Sequence, residues 1–108
     1  MATPSAAQPA RTDPVRVDPK HYKVELENDK VRVLRIQYGP HEKSVMHGHP
    51  AAVAVFLTDG HTRFTYPDGR TEDIRLQAGQ VLHFDAFEHN AENLSDKAFE
   101  LIAIELKK

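Results

Sequence analysis

Two histidines one residue apart, His47 and His49, are the pair in this chain best placed to do chemistry. Side chains alternate across a strand with a period of two, so on extended backbone both imidazoles leave by the same face. A same-face imidazole pair is half of a metal site. Cysteine is absent, which removes thiolate ligands, disulfides and a cysteine nucleophile, so an ion here must be held by nitrogen and oxygen. The candidate for a third ligand is His89, in Asp85-Ala86-Phe87-Glu88-His89-Asn90-Ala91-Glu92-Asn93.

The chain has seven histidines, and the other four are read one by one. His83 leads into the second cluster in phase with Val81 and Asp85. It is the candidate for an acid–base group in the pocket, with an ordinary packed histidine as the alternative. His41 falls in the loop at 39–44, His61 in a turn after Asp59-Gly60, and His21 beside the N-terminal tail, and all three read as solvated. Glu88 and Glu92 are the carboxylates nearest His89 in sequence, but alternation sends them to the opposite face. Tyr38 and Tyr66 either donate a hydrogen bond into the interior or pack with a wet hydroxyl. Met46 and Phe87 read as pocket wall or core.

Positioning these groups falls to short β-branched and aromatic runs, with no segment of sustained helical period. Strands are expected at 22–26, 31–38, 45–49, 53–58, 62–66, 72–76, 81–85, 89–93 and 99–106. Between them lie Asn28-Asp29, Gly39-Pro40, Asp59-Gly60, Pro67-Asp68-Gly69, Ala78-Gly79 and Ser95-Asp96, all residues that favour tight turns. Pro67-Asp68-Gly69 marks the clearest hairpin. Thr62, Phe64 and Tyr66 share one face, opposite Arg63 and Thr65, and Ile74 and Leu76 oppose Asp73 and Arg75. The apolar phase slips between Val33 and Leu34, which suggests a bulge. The apolar runs 53–57 and 101–104 suit strands covered on both faces, in a sandwich or under a dimer partner. Nine short strands without crossover helices imply an all-β fold, a small antiparallel β-barrel or jelly roll.

At 108 residues the chain is one domain, with residues 1–19 read as a flexible Pro/Ala-rich arm and residues 20–108 as the barrel. Formal charge is −2, from 14 basic and 16 acidic residues. No Lys/Arg-rich run is present to track phosphates, so nucleic acid is excluded as a partner. No stretch approaches the roughly 20 apolar residues needed to span a bilayer, and the start of the chain lacks a signal-peptide core. A cytoplasmic location with no membrane partner is expected.

Taken in order, Gly39, His47, His49 and Gly60, followed by Gly79, His89 and Asn93, resemble the two motifs of the cupin family. The resemblance covers most of residues 31–106 and implies a double-stranded β-helix. The family's first motif usually carries a glutamate four residues after the second histidine. Here that position is Val53, with Ala54 beside it, and Asp85 and Phe87 stand where proline and glycine are common. The resemblance therefore implies a three-histidine site, His47, His49 and His89, with Asn93 supporting the strand or the turn after it.

Three-histidine cupins include iron-dependent dioxygenases. The implied function is a non-haem, metal-dependent dioxygenase-type enzyme using Fe(II), with Mn, Ni, Zn or Cu as alternatives. A neutral three-nitrogen site keeps the ion's positive charge and favours an anionic or chelating small-molecule substrate. Two further readings share the barrel: a non-catalytic ligand-binding or sensing module, and a sugar epimerase or isomerase that would depend on His83 as acid–base group. Small cupins commonly pair, so a homodimer is expected.

Overall fold

The computed structural model describes residues 12–107. It contains one short helix, α1 (Pro14–Val17), followed by nine strands: β1 (Tyr22–Glu27), β2 (Val31–Tyr38), β3 (His47–His49), β4 (Ala52–Phe56), β5 (Gly60–Thr65), β6 (Thr71–Leu76), β7 (Val81–Phe84), β8 (Phe87–Asn93) and β9 (Phe99–Leu106). They form a five-stranded sheet, β1-β2-β9-β4-β7, and a four-stranded sheet, β3-β8-β5-β6, with every pairing antiparallel. The architecture is an antiparallel all-β jelly roll. Among the described residues, no helix is long and apolar enough to cross a membrane.

The inward phase of each strand builds one core between the sheets. Leu34, Ile36 and Tyr38 of β2, Ala54 and Phe56 of β4, and Leu101 and Ala103 of β9 come from the larger sheet. Leu76 of β6 and Ala91 of β8, with Phe64 and Ile74 packed against them, come from the smaller. Arg63 and Asp73, on the opposite phase, meet across the β5–β6 ladder at 2.8 Å. The β5–β6 turn is closed by Gly69 N–H donating to Tyr66 O, and Gly69 takes φ +87°, which favours glycine. At Gly60 the requirement is space: a Cβ there would lie 2.3 Å from the Phe99 ring, which is buried and stacked on Phe56.

Three expectations about the scaffold are corrected. The irregularity opposite Val33 and Leu34 is real, but the extra residue is Glu25 of β1: Val24 pairs with Leu34 and Leu26 with Val33, while β2 itself runs in unbroken register with β9. The second correction concerns the arm. Residues 1–11 lie outside the described residues, but 12–19 belong to the folded unit. Asp13 caps α1 by accepting from Val15 N–H, and Pro14 opens the helix buried at N1, where its missing N–H has no intrahelical role. Third, His21 is buried rather than solvated. Its Nδ1 lies 2.7 Å from Asp18 Oδ2 and its Nε2 3.0 Å from Glu42 Oε1, and its ring stacks on Tyr38 at 4.2 Å.

Candidate metal centre

Strand register brings the histidines together. β3 pairs with β8 so that His47 faces His89, Gly48 faces Glu88 and His49 faces Phe87. His47 and His89 are therefore direct cross-strand neighbours, and His49 sits one step along the same inward face. The three rings are 0%, 9% and 4% exposed for His47, His49 and His89, burial that separates them from ordinary surface histidines. One nitrogen from each lies within 4.8 Å of the others. An ion with bonds of about 2.1 Å needs those nitrogens roughly 3.0–3.4 Å apart, so each must move inward by about 1 Å at most.

The surroundings of each ring differ. His47 Nδ1 is 2.8 Å from Val45 O and must donate to it, which leaves Nε2 as the basic nitrogen. His49 Nδ1 faces Glu105 Oε2 at 3.6 Å, just beyond hydrogen-bond reach. Both nitrogens of His89 are buried without a hydrogen-bond partner among the described residues, inside a cage formed by Phe64 at 4.3 Å and Phe87 at 4.5 Å. An unpaired buried nitrogen costs about 1–3 kcal/mol, and an ion would remove that penalty. Burial, then the neighbouring His49, pulls the pKa of His47 down to about 3; burial, then His49 and His47, lowers that of His89. Both rings are therefore neutral at ordinary pH, as ligation requires. The donor set fits a divalent transition ion.

Glu105 was not anticipated. Position 105 continues the inward phase of Phe99, Leu101 and Ala103, and an acidic residue on the buried face of an apolar strand was the signal available. Its side chain is 3% exposed, and Oε1 accepts from Arg32 Nε at 2.8 Å. The same guanidinium grips Asp13 with two bonds of 2.9 Å. An ion-paired chain thus runs from the N-terminal helix cap through Arg32 to the carboxylate behind His49. Burial works against the Asp13 carboxylate, but the Arg32 fork outweighs it and holds its pKa below the usual range.

His83 is not in the pocket. On β7 it is Leu82 and Phe84 that turn toward the core, and His83 is exposed opposite Val53. Its phase with Val81 was read correctly, but that phase faces outward. Val53 also faces outward, and its neighbours Ala52 and Ala54 are the residues that reach the cavity from that part of β4. Asn93 is fully buried and does both tasks foreseen for it. Its Nδ2 donates to Gly39 O and Lys97 O, and its Oδ1 accepts from Ser95 N–H, tying β8 to two loops. His41 is an exposed loop residue beside Asp96. Tyr66 donates to Glu72 on the surface, whereas Tyr38 is buried and lines the cavity.

That cavity measures about 70 Å³ and is lined by His49, His89, Tyr22, Tyr38 and a largely apolar wall including Ile36, Phe56 and Phe87. At about 15 Å³ per water-sized site, it admits a ligand of roughly five heavy atoms.

Residues 34–105 match the family model described as the cupin domain, and the chain belongs to that family. Among solved structures it is similar to a cupin domain from Bordetella pertussis Tohama I, at 28% identity and TM-score 0.75, covering 81% of this chain and 92% of that one. A cupin superfamily protein from Desulfitobacterium hafniense DCB-2 is similar at 18% identity and TM-score 0.59, covering 81% and 76%. Oxalate decarboxylase of Bacillus subtilis, whose structure was studied for its Mn(II) centres, aligns at 19% identity and TM-score 0.57 over 73% of this chain but 22% of that one. Among curated proteins none matches the chain.

Proposed function

We propose that the protein is a metal-dependent small-molecule enzyme of the non-haem dioxygenase type. His47, His49 and His89 hold a divalent transition ion, with Fe(II) ahead of Mn, Ni, Zn or Cu. The observation that carries the reading is His89, a buried imidazole with neither nitrogen hydrogen-bonded among the described residues, set directly across from a second buried imidazole on the paired strand. A bound ion would supply Lewis acidity toward an anionic oxygen donor and, as iron, the electrons for dioxygen chemistry.

The chain's own residues account for the rest. Val45 O fixes the His47 tautomer, and Phe64 and Phe87 wall His89 away from water. The small apolar cavity selects a compact anionic or chelating substrate. A non-catalytic binding or sensing module is the second reading. It draws support from the cavity wall, which among the described residues carries one further titratable side chain, Glu92, beside two imidazoles and two phenols. The epimerase reading loses its acid–base residue with the outward turn of His83.

The test is anaerobic Fe(II) titration of the purified protein against His47→Ala, followed by aerobic incubation with small diketones and hydroxy acids. Tight Fe(II) binding in the wild type alone, with oxygen consumed, supports the enzyme. Equal binding in the two proteins sinks the metal site, and bound metal with every ligand recovered unchanged favours the binding module.

We also propose a homodimer formed through the outer face of the five-stranded sheet. Val33, Ile104 and Val53 form one cross-strand row there and Ile102, Val55 and Val81 the next, with Val81 58% exposed. Apolar rows of this kind are usually covered by another surface.

A further inference from the structure

Tyr22 lies ahead of the part of the chain that matches the family model, yet its hydroxyl sits 3.0 Å from His47 Nε2. Because His47 Nδ1 donates to Val45 O, Nε2 accepts, and Tyr22 O–H is the donor. The Tyr22 oxygen is in turn 2.5 Å from that of Tyr38, which donates to it. Both phenols are 3% exposed and both line the cavity, whereas His47 stands behind them. The pair is held from outside the barrel: Tyr38 stacks on His21, which Asp18 and Glu42 grip on either side.

An ion on His47 takes the lone pair to which Tyr22 donates. The two hydroxyls then hold two protons and have one internal acceptor between them, so one O–H is released. A buried donor does not stay unpaired without penalty. The adjoining apolar wall, Ile36, Ala54, Phe56, Leu101 and Ala103, offers no side-chain acceptor, and Ser44 Oγ, the hydroxyl beside both phenols, already accepts from Ala91 N–H. A charged ligand oxygen in the cavity is the stronger acceptor for the released O–H.

We propose that the Tyr22–Tyr38 pair is the anion-recognition element of the cavity, donating a hydrogen bond to a carboxylate or enolate oxygen of a small molecule bound beside the ion. This rests on the three-histidine metal reading and narrows the substrate class to compact oxyanions of about the size the cavity admits. It also gives the N-terminal part of the chain a role in ligand choice, since β1 supplies the donor.

Co(II) serves as a spectroscopic stand-in, with acetate as the anionic probe and imidazole as the neutral one, each titrated into Co(II)-loaded protein by visible absorption. Tyr22→Phe is expected to bind Co(II) at least as tightly as wild type, since the ion no longer has to displace an O–H. Acetate should bind about tenfold more weakly, the loss of one hydrogen bond to a charged oxygen, with imidazole binding within about twofold. Tyr38→Phe should weaken acetate binding in the same direction by about threefold, and it decides the matter if Tyr22→Phe does not fold. Unchanged acetate affinity in a Co(II)-loaded variant overturns the proposal, as does loss of Co(II) from Tyr22→Phe, which would make the phenol a ligand of the ion. A wild-type protein that takes up no Co(II) overturns the metal reading itself, a different result from either of these.

Discussion

Replacing Glu105 by Gln tests whether the carboxylate behind His49 matters to the metal centre. In the native arrangement Oε1 accepts from Arg32 Nε at 2.8 Å and Oε2 is aimed at His49 Nδ1 at 3.6 Å, close enough to become a hydrogen bond once the ring shifts toward an ion. The glutamine amide has one oxygen and one NH2. Whichever way it turns, the NH2 meets a donor, Arg32 Nε–H or His49 Nδ1–H. Arg32 keeps its two 2.9 Å bonds to Asp13, so the roughly 3–5 kcal/mol expected on stranding a buried charge is not reached. The loss should instead be that of one charge-assisted bond, about 1.5–3 kcal/mol, visible as a lower melting temperature. Metal affinity should fall about 10–100-fold, the usual consequence of removing the partner that orients a ligating imidazole. Competition titration of Zn(II) or Co(II) against a chelator, with circular dichroism to confirm folding, measures both. A folded Glu105→Gln protein whose metal affinity stays within about twofold of wild type would refute the idea that this carboxylate orients His49.

Three further outcomes are expected. Gly60→Ala drives a Cβ into the Phe99 ring at 2.3 Å and should lower stability by about 1–3 kcal/mol, with partial recovery when Phe99 is made Leu, measured by denaturant titration. For acid stability, the pKa of His47 falls to about 3 when folded, below an unfolded value of about 6.5, so between those values the unfolded chain binds more protons. Stability from this group is therefore full above about pH 6.5 and drains as pH falls toward 3; the decline should be shallower in His47→Gln, and equal slopes would contradict it. Light scattering should give twice the 12.2 kDa chain mass, reverting to one chain in Val53→Lys with Ile104→Lys, whereas a wild-type monomer would count against the sheet-face dimer.

Fold and site were legible in the sequence to different depths. Turn chemistry and period-two alternation located all nine strands, and the bounds of β2 and β9 agree with the structure because both are long runs with clear stops. The His47, His49 and His89 set was legible through the resemblance to the cupin motifs, and the strand register then brings those distant residues face to face. Phase alone does not say which side is the inside, and His83 was misjudged for that reason. It shares its phase with Val81, which is apolar yet exposed, while the inward pair is Leu82 and Phe84. Of the N-terminal segment, residues 12–19 were misread on composition. Its prolines suggested an arm, but Pro14 is a helix opener, and Asp13 and His21 find partners distant in sequence, Arg32 and Glu42, while Asp18 holds His21 three residues on. Such pairings depend on tertiary proximity, which local pattern does not encode. Tyr22 escaped notice for the same reason: nothing near it in the chain marks it as a neighbour of His47.

Metal content decides the central claim most directly. Wild-type protein and His89→Leu should be dialysed against the same buffered Fe(II) or Zn(II) and assayed for bound ion per chain. Leucine removes the unpaired nitrogens while filling the space between Phe64 and Phe87, so the variant should stay folded. The wild type should carry about one ion per chain and the variant far less, as expected when a site loses one of three ligands. Equal loading of the two proteins, or none in either, would contradict it.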